Sequence, residues 1–591
     1  MLGIKVGDEW LDLFPGTLLE IEQNNPYLQF DDKVLGDYSL PLELPDTPKN
    51  RRLTGYASLI QTRVDTVGID VAVFHSGFQH SIGKLKVEKP NIHLNTAKKG
   101  RLSCYYLTGI SAFYQDTKDI RLNQVDLGGE RSFAWAGFVY FGNSFWSHIH
   151  QVLNAAPGSF DYAFYPVINK TFDGGLGSVD LVNRVRYNAG AGRVEFEEFC
   201  DPAALHSEKN PIVPFPYLKY VLEKAIEHVG WKIQGDILSD PNFQQITLAN
   251  FRSLDWSWSK KYGFTVLPSY EEIYINPVKF DLADHVPDVT IPELLIALKN
   301  RLGWWYDFDR KNKIITIKPL INVATAATKD FTRYANPVVV KKANKDKKTY
   351  ALKNTVSDAR VDLSKVPIEG TVNTFAALPV AAEGNFGLNY FVTSENNFYT
   401  CRQIDEQPWT FYWDILASNV HDYVPEGATE EILSSAVTAG NEKYNAYHDF
   451  IPHIEALGIW PRRTEDYGSS SAIILLFYHG LRNNKAGQPI PFAGSGIYDS
   501  NGLQVSAWSL AYVCRSLSGD DHGLYNRNWK KLLDTINTNE EFDLTLNLPL
   551  VEFLNFSFSD LIIIEGVKMY SSKIKPILPY PGNMVFETSR I

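Results

Sequence analysis

At 591 residues the chain is too long for one ordinary core, and about three to five domains is the expectation. Hydrophobic residues at 44% and charged residues at 21% exclude a disordered polymer. A net charge of −11 argues against a dedicated nucleic-acid binder, which needs a basic footprint to neutralise phosphates. Aromatics reach 13%, which favours β-rich structure because these rings fit a pleated surface. The same residue types are enriched at protein interfaces.

Residues 1 to about 90 read as short strands between turns. The run Thr17-Leu-Leu-Glu-Ile-Glu22 precedes Asn24-Asn25-Pro26, a turn signal. Prolines 41, 45 and 48 forbid a helix and disfavour a central strand, so this segment reads as extended and pinned onto a neighbour. From Gly68 the chain alternates, with Ile69, Val71 and Val73 on one face and Asp70, Ala72 and Phe74 on the other. Residues 100–200, rich in glycine and aromatics, read as loops between strands.

Two amphipathic helices follow. The first spans Leu218 to Val229, with a stripe of Leu218, Val221, Leu222, Ala225, Ile226 and Val229, and Gly230 stands where a left-handed residue would end it. Trp231-Lys-Ile-Gln then reads as a strand. The second opens at Thr290, with Glu293 at capping-box spacing and Pro292 in the first turn. Its stripe is Ile291, Leu294, Leu295, Leu298 and Leu302, and Gly303 ends it. The aromatic run Trp304 to Asp309, a turn at 310–313 and Ile314-Ile-Thr-Ile-Lys318 then make a hairpin. The two terminating glycines are 303 − 230 = 73 residues apart, a spacing compatible with either a duplicated unit or chance. Residues 330–520 alternate strands with Pro/Gly-rich loops. Asn526 to Leu533 reads as a short helix, Phe542 to Leu548 as a strand, and Leu561 to Ile574 as a hairpin turning at Glu565-Gly566.

These elements predict an α+β, β-rich chain of several β-barrel or β-sandwich-like domains with a few packed helices. The boundaries read as 1–205, an N-terminal β-rich domain; 206–330, the two helix–glycine–strand units; 331–520, a β-rich middle region, an insertion or peripheral domain; and 521–591, a closing β segment.

Chemistry is sparse. Cys104, Cys200, Cys401 and Cys514 lack metal-site spacing and read as free thiols of a reducing cytoplasm. His148 and His150 would sit on one side of a strand and read as polar residues facing water rather than as half of a zinc site, which has no identifiable third ligand. Asp520-Asp521-His522 reads as a solvated loop, and His75 and His80 as structural. Lys341, Lys342, Lys345, Lys347 and Lys348 form the one dense basic cluster, again a solvated loop. Gly190-Ala-Gly192 lacks the third glycine of a dinucleotide fingerprint, and no nucleophile elbow, zincin motif or Walker A occurs. A glycosidase carboxylate pair is set by separation in space, which spacing along the chain does not reveal. No catalytic, cofactor-binding or metal residue is therefore assigned, and a non-enzyme is expected. The opening MLGIKVGDEW lacks signal-peptide character, and the apolar run Ala472 to Tyr478 is too short to span a membrane.

Three stretches resemble hub proteins of phage tails, including those of phages and prophages of Bacteroidetes-type hosts. They are Gly36-Asp-Tyr-Ser-Leu-Pro41 with Leu44 to Asn50, then Asp281 to Pro319, and finally Tyr525 to Lys575. The resemblance implies a hub or tail-tip protein, a homotrimer whose paired β domains form a pseudo-hexameric ring. Such a ring joins the tail tube or distal tail protein to tip or fibre proteins, holds the end of the tape-measure protein, and lines the channel through which DNA passes. It also implies a virion location after assembly in the host cytoplasm. Two other readings stand beside it: a polysaccharide-binding or polysaccharide-degrading surface or tail-fibre protein, and another tail part such as a knob or stopper.

Overall fold

The computed structural model describes residues 2–590 apart from 31–37, 57–67, 89–99, 133–143, 173–180, 198–209, 262–271, 322–327, 343–347, 356–367, 455–471, 499–503, 514–522, 579–582 and scattered gaps of one to three residues. The α+β, β-rich class expected from the sequence is the class observed.

The largest sheet joins the two ends of the chain. Its N-terminal half runs through Leu2–Val6, Ile69–His75, Phe78–Val87 and Arg101–Thr108 to Leu19–Asn24. Leu19–Asn24 then pairs with Val567–Lys575, followed by Asn583–Arg590, Glu541–Asn547 and Val340–Lys341. Alternation explains the faces: Val71 and Val73 are buried with Ile4, Ile21, Leu44 and Leu85, while Asp70 is exposed. In the C-terminal half Leu544, Leu546, Ile562, Ile574 and Phe586 form a second apolar layer. The junction is fixed by Asn25, whose backbone N–H donates to Ser572 O at 2.8 Å and whose side chain donates to Ser571 O at 2.6 Å. The closing hairpin turns at Glu565 and Gly566, both at positive φ, as a tight primed turn requires.

Two expectations for the first 200 residues need correction. Pro48 does not forbid a helix; it opens one, Pro48–Leu53, from the first position, where a missing N–H costs nothing. Thr47 caps it, and the buried Asn50 side chain ties it to Asp12 and Pro45. Residues 100–200 are not only loops between strands, since the helices Ile110–Thr117 and Ser144–Asn154 lie there.

Both amphipathic helices form where their stripes place them. Leu218–His228 buries Leu218, Val221, Leu222, Ala225 and Ile226, with Val229 as its C-cap and Gly230 at φ 75°. Ile291–Leu302 has the expected capping box: Glu293 Oε2 accepts from Thr290 N at 2.7 Å, and Gly303 is left-handed at φ 65°. The two following strands share one sheet, with Lys232–Gln234 parallel to Ile314–Pro319, which pairs with Trp304–Asp309. Ile291–Leu302 is buried on its polar side as well. Arg301, fully buried, stacks over Tyr512 at 4.3 Å and bonds Asn354, whose side-chain amide donates to Asp422 at 2.6 Å.

The apolar run at 472–478 lies in a central strand, Ile473–Asn483, flanked by Ile246–Ala249, Ala436–Val437 and Pro489–Gly494. Tyr165, Phe215 and Tyr478 stack on its flank. A six-stranded sheet built from residues 370–452 completes the middle region. Among the described residues no helix is long and apolar enough to cross a membrane.

Candidate functional site

His148 and His150 lie on the helix Ser144–Asn154, not on a strand. Positions two apart on a helix are about 200° apart around the axis, so the rings diverge. His148 Nε2 meets Tyr162 Oη at 2.8 Å, whereas His150 stacks on Phe196 at 6.5 Å. Around Tyr162 the titratable groups are already engaged. Arg131 lies over its ring at 5.1 Å and donates to Asp161 at 2.6 Å. Burial, then the nearby Arg131 charge, lowers the His148 pKa, while burial raises that of Tyr162. A neutral imidazole, a protonated phenol and a paired guanidinium staple helix to strand. Among the described residues no group of three or more His, Cys, Asp or Glu is placed to hold a metal ion.

The other expected sites resolve as follows. Asp520, Asp521 and His522 lie outside the described residues, as do Cys200, Cys514, Lys345 and Lys347. Gly190 and Gly192 sit in the turn of a hairpin between Val185–Asn188 and Arg193–Phe196. Cys104 is a buried free thiol pushed up to about 12 by burial and then by Glu88, and Cys401 is also buried and free. His80 stacks on Phe553 at 6.0 Å, an interplanar angle of 10°. His75 is buried at the end of Ile69–His75.

The lysine cluster is not simply a solvated loop. Lys341 ends a strand at the edge of the large sheet, and Lys342, the next residue, enters an ion-pair ladder that sequence reasoning missed. On the face opposite the apolar layer, Glu22 pairs with Lys573 at 2.8 Å and Lys575 with Glu587 at 2.9 Å. Glu587 also meets Lys342 at 3.2 Å, and Lys342 meets Asp543 at 2.9 Å. On the other side of the sheet, at the strand ends, Lys341 and Arg590 both hold Glu540, at 2.8 and 3.1 Å. Asp543 and Glu587 face each other on adjacent strands and share Lys342, so each of these cations is matched to a carboxylate. The signal was the polar phase of each strand, but only the register brings residues from 22 to 590 side by side.

The second missed feature is apolar. Phe375-Ala-Ala-Leu-Pro-Val-Ala-Ala382 lies on the surface of the six-stranded sheet, with Val380 83% exposed. The run is visible in the sequence, but its exposure is not.

No protein-family model and no curated protein matches this chain. Among solved structures, the 43 kDa tail protein of prophage MuSo2 from Shewanella oneidensis aligns over 100% of this chain and 95% of its own, at 8% identity and a TM-score of 0.30. A likeness of that strength carries no argument about function.

Proposed function

We propose that this chain is a structural component of a bacteriophage tail, a hub or tail-tip protein that connects the tail tube to distal tip or fibre proteins. The reading rests on the three hub-like stretches, and one contact supports it most. Asn528, in the third stretch, donates to Leu302 O at 2.6 Å and so caps the helix of the second. A Cβ on Gly303 would lie 3.2 Å from Asn528 Cβ, so the two stretches form one packed unit rather than separate look-alikes.

The partners proposed are further copies of this chain in a trimeric ring, the tail tube or distal tail protein, the tape-measure protein and the fibre or tip proteins. DNA would pass transiently through the lumen. The ion-pair ladder suits a surface near such a conduit: its cations are neutralised by neighbouring carboxylates, so it offers phosphates little net grip. The proposed role is non-enzymatic. Assays on peptidoglycan and capsular polysaccharide should show no turnover; saturable hydrolysis abolished by one carboxylate substitution would refute that part. Immunogold labelling of intact particles tests the location directly. Label at the tail tip is expected, and label absent from particles would reject the tail role.

A further inference from the structure

We draw no further inference here: the strongest candidate, the apolar cleft between the helices Ile110–Thr117 and Ile291–Leu302 that Phe113, Leu295, Trp305 and Phe308 line, has a free volume of about 20 Å³, room for a single water and no ligand, and nothing in the structure shows what covers it.

Discussion

Burial keeps several imidazoles neutral, and that makes the fold sensitive to mild acid. His80 and His479 are each lowered to about 4 and His285 to about 3, by burial first in every case, from an ordinary 6.5. The unfolded chain therefore takes up protons near pH 6.5 that the folded chain refuses until about pH 4 or below. Stability is complete above pH 6.5 and should fall steadily as pH drops toward 4. His80→Phe, which can keep the stack on Phe553, should flatten part of that slope in melting temperature; an unchanged slope would contradict the assignment. A second loss follows at lower pH. Burial pushes the Glu587 pKa up, but the bonds from Lys575 and Lys342 outweigh it and leave the group below its ordinary 4.5. Its contribution is present above pH 4.5 and lost as pH falls through the lowered value, so Glu587→Gln should weaken the acid dependence in that window. Little of this was legible in the sequence. Met584 and Phe586 in the opposite phase mark Glu587 as facing away from the core, but its partners Lys342 and Lys575 come from distant parts of the chain. Asn25 and Arg301 likewise show their roles only once Ser571 and Asn354 are beside them.

Elements defined by local signals were legible; those fixed by distant packing were not. Thr290, Glu293 and Gly303 act within a few residues of the helix they bound, so its start and stop could be read directly. The same holds for the turn at Glu565-Gly566 and for the Ile69–His75 alternation. The helix Ser144–Asn154 contains Phe145, Trp146, two histidines and Ile149, residue types of middling helix propensity, and the burial of Ile149, Val152 and Leu153 in the central core overrides local preference. The stripes of the two central helices are buried in that same core, so Leu222→Ala and Leu298→Ala should each cost about 2–5 kcal/mol in denaturant unfolding. An unchanged midpoint in either variant would mean that stripe is exposed. Gly303→Ala should also destabilise, by about 1 kcal/mol or more, because an alanine at φ 65° is strained and its methyl would crowd Asn528.

At the scale of the whole chain, the dominant feature is the return of the C-terminal strands to the N-terminal sheet. Gln23 pairs with Ile574, a separation no periodicity encodes, because alternation specifies faces and not partners. The sheet therefore closes only after the last strands exist, and the middle of the chain, including the apolar loop at 368–388, is presented from a frame held at both ends. Such an architecture suits a ring subunit: cyclic symmetry lets surfaces left open in one copy be closed by its neighbours. If the proposed ring forms, its interface should bury more than about 2,000 Å² in total, in the range of obligate assemblies. Assembly on the tube and tip can be needed to complete it, so mass in solution does not decide the matter. The decisive measurement is the symmetry of this chain's density in a cryo-EM map of the intact particle. Three copies around the tail axis, between tube and tip, is the predicted result; a six-fold or single-copy position, or absence from the tail, would contradict it.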